Sequence, residues 1–314
     1  MKNIVFMGTP EFSVGTLEAI IQAGHEVVLA VTQPDKPKGR GKEMQLTPVK
    51  ECAIEHDIPV YQPIKVREEE CVEYLRTFKA DICVVVAFGQ ILPQEILDMT
   101  TYGCINVHAS LLPKYRGAAP IQWSIIDGEE VTGVTIMQMN AGLDTGDMIR
   151  KCEVVIDSDE TGGSLHDKLA EAGAKLCVDT LIALENDDVT FTVQGESTTS
   201  YAKMLKKELG LIDWAQGAEE IERLIRGLNP WPSAYTNWKD KILKIWDGEV
   251  LDEDTQQPVG SIVAVDKTSF SVQTGKGVLQ ILELQMQGKK RMDAGAFLRG
   301  YQMQVGDLLT KQAE

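Results

Sequence analysis

Strands and helices alternate along roughly the first 190 residues of this 314-residue chain, and that alternation restricts its fold more than any other feature. Short apolar runs are separated by segments whose apolar residues recur at helical spacing, as in Val14, Leu17 and Ile21. This pattern predicts a mostly parallel sheet with helices packed on its faces. The predicted strands are residues 4–7, 27–31, 82–87, 104–108 and 131–139, followed by a return strand near residues 148–156.

A change of composition near residue 190 predicts a division into domains. The next segment is polar and then basic, as expected of a linker. After a helical stripe at Ile221, Leu224, Ile225 and Leu228, short apolar runs follow at residues 234–238, 241–246, 260–265, 270–274 and 278–284. Short strands in close succession predict a small OB-like β-barrel. We therefore predict an α/β domain at residues 1–189, a linker at 190–209 and an OB-like domain at 210–314.

The charge distribution limits where a nucleic acid could bind. The net charge is −16, and residues 1–189 alone carry 30 acidic against 16 basic side chains. An acidic protein needs local basic clusters to hold a phosphate backbone. Two such clusters lie in the Pro- and Gly-rich loop that begins at Gln33 and in the linker, and a third lies further along the chain: Lys36, Lys38, Arg40 and Lys42; Lys203, Lys206 and Lys207; Lys289, Lys290 and Arg291. A solvated run of charge remains the alternative interpretation of the loop.

Several classes of protein are disfavoured by the sequence. No apolar run is long enough to span a membrane, and the chain enters its first strand without a leader-like segment. The six cysteines form no Cys-x-x-Cys pair, which favours buried thiols in a reducing cytoplasm over disulfides or a zinc site. Gly8-Thr9-Pro10 follows the first strand where a dinucleotide fold would carry a glycine-rich fingerprint, which argues against NAD or FAD.

Polar residues at the end of one predicted strand are the strongest candidates for catalysis. Alternation along the strand puts Asn106 and His108 on the same face. A carboxamide can donate to a developing oxyanion, and an imidazole can move a proton near neutral pH, so the pair suggests acyl-type transfer. Asp144, in a glycine-flanked loop, could orient and stabilise the imidazole. The alternative is that the pair caps loop backbone and that Asp144 is an ordinary turn aspartate.

A second apolar loop follows the predicted strand at residues 82–87. It carries Phe88, Gly89, Ile91 and Leu92. These residues could line a flat cleft for a heteroaromatic ring, or Ile91 and Leu92 could simply pack in the core.

These motifs together resemble the 10-formyltetrahydrofolate-dependent formyltransferases, and in particular the branch that acts on methionyl-tRNA. The resemblance covers nearly the whole chain. It rests on residues 7–12, 33–42, 48–50, 106–120, 133–139, 142–147, 201–203 and 229–232. It implies a Rossmann-like formyltransferase domain followed by an OB-like domain that binds tRNA.

The resemblance also implies roles for particular residues. Asn106, His108 and Asp144 match the catalytic positions of the family. The residues implied in binding the folate donor are Ser110, Leu111, Leu112, Pro113, Phe88, Gly89, Ile91 and Leu92. The basic clusters in the Gln33 loop and in the linker would contact tRNA.

The implied reaction transfers a formyl group to methionyl-initiator tRNA, with no metal, by a cytoplasmic monomer. The rival functions are a formyltransferase acting on a sugar-nucleotide or ribotide amine, and a non-catalytic RNA-binding module. Both rivals predict no salt-sensitive formylation of aminoacylated tRNA.

Overall fold

The computed structural model describes residues 3–38 and 43–311. These residues form two compact units. The first unit contains the described residues up to Pro120, together with Val131–Val155 and His166–Ala202. The second contains Ile121–Glu130, Ile156–Leu165 and the described residues from Lys203 onward. The predicted linker is thus divided between the units at Ala202 and Lys203.

The strands lie as follows within the described ranges. In the first unit they are β1 (Ile4–Gly8), β2 (Val27–Val31), β3 (Lys36–Lys38), β4 (Glu43–Gln45), β5 (Val60–Tyr61), β6 (Ile82–Val86), β7 (Cys104–His108), β8 (Val131–Gln138) and β9 (Met148–Val155). In the second they are β10 (Ala234–Trp238), β11 (Lys241–Leu251), β12 (Ile262–Val265), β13 (Phe270–Gln273), β14 (Val278–Met286), β15 (Met292–Asp293) and β16 (Leu309–Thr310).

The α-helices of the described ranges are α1 (Glu11–Gln22), α2 (Pro48–Glu55), α3 (Glu69–Arg76), α4 (Gln94–Leu97), α5 (Pro120–Ile126), α6 (Gly162–Glu185), α7 (Ala218–Gly227) and α8 (Ala294–Gly300). A 3₁₀ turn covers Lys207–Gly210. Two helix ends follow from local chemistry. Thr47 caps α2 by accepting a hydrogen bond from the Lys50 amide. Gly24, after the end of α1, adopts φ +82°, a conformation that costs glycine little.

The first unit is built on a mostly parallel sheet, which confirms the predicted fold class. Its strand order is β5-β2-β1-β6-β7-β8-β9. The pairs from β5 to β7 are parallel, whereas β8 and β9 pair antiparallel, as the predicted return strand requires. Strands β1 and β6 are buried along their whole length, as expected of central strands covered on both faces. Strand order reverses between β1 and β6, and ligands of open α/β sheets bind beside such a reversal, at the carboxyl ends of the strands.

The second unit is a closed antiparallel barrel, which confirms the OB-like prediction. Its strand order is β12-β13-β14-β11-β10-β16. A bridge between Ser261 and Leu308, next to β12 and β16, joins the two ends of this order. The barrel core is apolar and includes Trp238, Phe270 and Phe297. Closure removes the free sheet edges that would otherwise pair with other chains.

The described residues also settle some simpler predictions. All six cysteines lie within the described ranges and are free, and all except the half-buried Cys152 are buried. This confirms the prediction of unpaired thiols. Among the described helices, none combines the length and the apolarity needed to cross a membrane. The long basic loop contains an unpredicted short hairpin, because β3 pairs with β4 on either side of residues 39–42.

Candidate active site

The carboxyl end of β7 carries the predicted polar pair. Asn106 pairs across the sheet with Val85 of β6 and Met137 of β8, and His108 pairs with Thr135 of β8. His108 is 6% exposed, whereas Asn106 is half-buried. Within the described ranges the Asn106 carboxamide forms no hydrogen bond, so its N–H groups remain available to a ligand. The two side chains share one face of the strand, as predicted.

The His108 ring is held between two oxygen atoms. Its Nε2 donates to the Tyr115 carbonyl at 3.0 Å. Its Nδ1 lies 3.8 Å from Asp144 Oδ1, which is too far for a hydrogen bond but within reach of an ion pair. Because Nε2 donates to a carbonyl, Nδ1 is the ring nitrogen that can accept a proton. Only the imidazolium carries hydrogens on both nitrogens, and in that form each hydrogen faces an oxygen.

Asp144 is brought to His108 by a constrained loop. The residue has φ +53°, the left-handed region that non-glycine residues rarely adopt. Its Oδ2 accepts a hydrogen bond of 2.9 Å from the Gly117 amide. Gly117 has φ +128°, and a Cβ there would meet the Ala202 carbonyl oxygen at 2.6 Å. The carboxylate is therefore positioned by the loop after β7 rather than by the imidazole itself.

The segment after β7 is anchored by one buried hydroxyl. Thr135 Oγ1 donates to the Ser110 carbonyl at 2.7 Å and accepts from the Leu112 amide at 3.1 Å. Lys151 Nζ donates to the Leu112 carbonyl at 2.5 Å, and burial lowers the pKa of this lysine. Among the residues implied in folate binding, Ser110 and Leu112 are fully buried, whereas Leu111 and Pro113 are half-buried. Ser110 and Leu112 can therefore contribute to ligand binding only through their backbone groups or by setting the shape of the loop.

The loop after β6 alternates buried and exposed residues. Phe88 and Leu92 are 2% and 5% exposed and belong to the core of the first unit. Gly89, with φ +82°, is exposed, and Ile91 is 79% exposed. Of the four residues predicted to line a cleft on this loop, only Gly89 and Ile91 are therefore exposed at the surface.

The loops at the reversal of strand order are tied together. Thr9 Oγ1, after β1, donates to the Phe88 carbonyl at 3.1 Å, and Gln33 Nε2, after β2, donates to the same oxygen at 3.2 Å. These bonds fix the base of the loop that presents Gly89 and Ile91.

The basic residues predicted to contact tRNA fall in three places. Lys36 is exposed on β3, and Lys38 ends the same strand. Arg40 and Lys42 lie outside the described residues. Lys203, Lys206 and Lys207 are exposed and belong to the second unit.

Four residues near the site were missed by sequence reasoning. Thr199 Oγ1 accepts from the Tyr115 amide at 2.8 Å, and Gln194 bonds to the Asp144 and Gly146 carbonyls. Arg116 Nε donates to Gln194 Oε1 at 2.9 Å. Burial raises the pKa of Tyr201, and the charge of the nearby Asp144 raises it further. The partners in these contacts are far apart in the sequence, and no local sequence pattern predicts them.

One group of side chains within the described ranges has metal-ligating geometry. The donor atoms of Glu18, Cys52 and His56 lie within 4.8 Å of one another, on α1 and at the end of α2. The group includes none of the predicted catalytic residues.

A free carboxamide and an imidazole stand on β7, and the Asp144 carboxylate faces the imidazole from the loop between β8 and β9, an arrangement chemically suited to group transfer to a nucleophile. Residues 1–181 match the family described as Formyl transferase, and residues 204–302 match its C-terminal domain. The chain belongs to the formyl transferase family.

Curated relatives and solved structures agree with this assignment. A protein of Agathobacter rectalis named Methionyl-tRNA formyltransferase is 61% identical over 308 residues, covering 98% of this chain and 99% of that protein. A Lachnospira eligens protein of the same name is 54% identical over 312 residues, covering 98% and 99%. The fold is similar to that of WlaRD, a sugar 3N-formyl transferase solved with dTDP and 5-N-formyl-THF. That similarity has a TM-score of 0.67 at 19% identity and covers 92% of this chain and 99% of that one.

Proposed function

We propose that this protein transfers the formyl group of 10-formyltetrahydrofolate to the α-amino group of methionyl-initiator tRNA, giving formylmethionyl-tRNA for translation initiation. The observation that carries the proposal is the 61% identity, over nearly the full length of both chains, to a relative named for that substrate. The sugar-directed neighbour is only 19% identical, so a sugar-nucleotide substrate is less well supported. The proposed enzyme acts as a cytoplasmic monomer.

The surface beside β7 fits a folate donor. The exposed Gly89 and Ile91 offer an apolar edge, and the half-buried Leu111 and Pro113 lie on the loop that follows Asn106. An apolar edge on the loop after β6, the strand that pairs with Asn106 of β7, suits a heteroaromatic ring. The solved neighbour whose title names 5-N-formyl-THF shares the fold. When bound, the donor would supply an activated one-carbon acyl group.

Asn106 is proposed to stabilise the negative charge that develops on the formyl oxygen. Its carboxamide is half-buried and has no competing hydrogen bond within the described ranges. A donor that is already positioned costs no reorganisation when the charge appears. Loss of one such donor typically costs about 3–4 kcal/mol of transition-state stabilisation.

His108 is proposed to carry the proton. An α-amino group has a pKa of about 7.7–8.0, so a useful fraction of the substrate amine is neutral near pH 7. As the new N–C bond forms, Nδ1 accepts the amine proton and returns it to the nitrogen that leaves. The Tyr115 carbonyl at 3.0 Å and the Asp144 carboxylate at 3.8 Å stabilise the imidazolium formed in between.

Binding of tRNA is proposed to use the basic clusters in the Gln33 loop and in the linker. Acidic faces elsewhere would repel the phosphate backbone and so restrict docking to these cations. Each phosphate neutralised makes binding more sensitive to salt.

One assay tests the function directly. Wild-type protein is incubated with 10-formyltetrahydrofolate and methionyl-tRNA, and formylmethionine is measured. The single variants Asn106→Ala, His108→Ala and Asp144→Ala should each remain folded and lose most turnover. Formation of no product by the wild type would reject the proposed function. Near-normal rates in all three variants would instead exclude Asn106, His108 and Asp144 from the chemistry. Product with a sugar-nucleotide amine instead would favour the sibling enzyme, and RNA binding without transfer would favour a binding module.

A second assay tests the tRNA contact. Arg40→Ala should slow formylation of methionyl-tRNA, reduce its salt dependence and leave folate affinity unchanged. Lys175→Ala, which removes an exposed lysine from α6, is the control. Equal losses in the two variants would exclude a specific role for the loop.

A further inference from the structure

Two strained residues flank the imidazole of His108. Tyr115 has φ +55° and Asp144 has φ +53°, and neither is a glycine. Tyr115 supplies the carbonyl that accepts from Nε2, and Asp144 supplies the carboxylate that faces Nδ1. Such conformations persist only where surrounding contacts hold them, and they cluster at functional sites. The contacts that hold these two residues are therefore part of how the site is built.

Both residues are held by one segment, residues 192–202, which we name the strap. One end of the strap is fixed because Thr192 and Met148 exchange two backbone hydrogen bonds of 2.8 Å. The other end is fixed because Ala202 donates to the Arg116 carbonyl and accepts from the Ala118 amide, each at 2.8 Å. The sequence predicts a linker at residues 190–209, which includes this segment. In the structure it belongs to the first unit and is paired at both ends.

Gln194 holds the Asp144 side of the site. Its Nε2 donates to the Asp144 carbonyl at 2.9 Å and to the Gly146 carbonyl at 2.7 Å. Its Oε1 accepts from Arg116 Nε at 2.9 Å. One carboxamide thus joins the Asp144 loop to the loop that follows β7.

Thr199 holds the other side. Its Oγ1 accepts from the Tyr115 amide at 2.8 Å. The Ser197 hydroxyl lies 3.3 Å from the same oxygen and fixes the Thr199 side chain. Tyr115 thus donates its N–H to the strap and accepts a hydrogen bond from His108 on its carbonyl.

We propose that Gln194 and Thr199 are positioning residues that set the two oxygens facing His108, so that the strap is a component of the active site. The proposal rests on the proposed function for its kinetic consequence. Thr199 acts through the Tyr115 backbone, whose carbonyl bonds the imidazole. Gln194 acts through the Asp144 backbone, whose side chain faces the imidazole. Their loss should lower kcat, because proton transfer depends on the geometry of His108. It should leave the KM values for tRNA and folate nearly unchanged.

The test uses paired variants of the full chain. Gln194→Met removes both donated bonds, and Gln194→Glu keeps an acceptor for Arg116 but removes the N–H donors. Thr199→Val removes the acceptor for Tyr115, and Thr199→Ser keeps it. Gln22→Met makes the same chemical change at an exposed position on α1 and serves as control.

We expect Gln194→Met, Gln194→Glu and Thr199→Val each to lower kcat at least tenfold, with KM values within about twofold of wild type. Thr199→Ser and Gln22→Met should retain wild-type kcat. Without substrate, the Gly117 amide, which bonds Asp144 Oδ2, should exchange its hydrogen faster in both Gln194 variants. The ring signals of His108, assigned by their loss in His108→Asn, should shift in Thr199→Val.

Several results would overturn the proposal. The proposal is wrong if Gln194→Met, Gln194→Glu and Thr199→Val keep kcat within twofold of wild type. It is also wrong if these variants raise KM and leave kcat unchanged. Unchanged Gly117 exchange together with unchanged His108 signals would also overturn it, even if the variants were inactive. A wild-type protein that forms no product would defeat the proposed function instead, and the exchange and ring signals would still decide the positioning role.

Discussion

Replacement of Thr135 by valine tests how the loop after β7 is held. The side chain is fully buried on β8, opposite His108. Its hydroxyl bonds both the Ser110 carbonyl and the Leu112 amide. Valine has nearly the same shape, so Thr135→Val removes these two bonds and leaves no cavity.

The expected cost follows from the two backbone groups left without partners. A buried group that loses its hydrogen bond costs about 1–3 kcal/mol. Thr135→Val should therefore lower the free energy of unfolding by about 2–6 kcal/mol. Thr135→Ser keeps the hydroxyl and removes one buried methyl group, which should cost only about 1 kcal/mol. The variant with the more conservative shape is thus expected to be the less stable one.

Urea denaturation of both variants gives the comparison, with hydrogen exchange at the Leu112 amide as a local readout. The Leu112 amide should lose protection in Thr135→Val and keep it in Thr135→Ser. If Thr135→Val is destabilised by less than 1 kcal/mol, or by less than Thr135→Ser, the hydroxyl does not anchor this loop.

Three further predictions concern the site and the unit that carries it. Asn106→Ala should lower kcat by a factor of about 10²–10³. Its melting temperature should be unchanged, because the carboxamide bonds no described residue. A kcat close to that of wild type would exclude the oxyanion role. The hydrogen bond from Lys50, at 2.5 Å, lowers the pKa of Asp35 below its usual 3.8, so Lys50→Met should raise that pKa in an NMR titration. The pair's contribution to stability is present above pH 3.8 and is lost as the pH falls through the lowered pKa; an unchanged Asp35 titration would contradict this. Gly117→Ala should destabilise the fold by more than about 1 kcal/mol in thermal unfolding and reduce turnover. The reason is that φ is +128° and the new Cβ would meet the Ala202 carbonyl oxygen at 2.6 Å. A variant as stable as the wild type would refute the clash.

Much of the fold could be predicted because its strands are apolar and clearly bounded. The predicted strands at residues 104–108 and 234–238 coincide with β7 and β10. Short or polar strands carried no such signal. Strand β3 contains a proline between two lysines and pairs only with β4, and β5 has two residues. Their pairing depends on tertiary context rather than on hydrophobic alternation.

The candidate site was predicted only in part, for a related reason. Asn106 and His108 stand two residues apart on a strand, so alternation alone puts them on one face. Gln194 reaches Asp144 across 50 positions, and Thr199 reaches Tyr115 across 84. These are polar contacts in a segment without periodicity, which sequence reasoning assigns to a linker.

Closure of the barrel has a consequence for the order of events during synthesis. Residues 260–262 pair with residues 306–309, and Leu309 and Thr310 pair with β10. A nascent chain leaves the ribosome from its N-terminus onward. One edge of β12 and one edge of β10 therefore stay unpaired until residue 310 has left the ribosome. During that interval the exposed edges can pair with a neighbouring chain. A premature stop codon between residues 301 and 306, after the last helix and before β16, would leave both edges unpaired permanently, and its product should enter inclusion bodies.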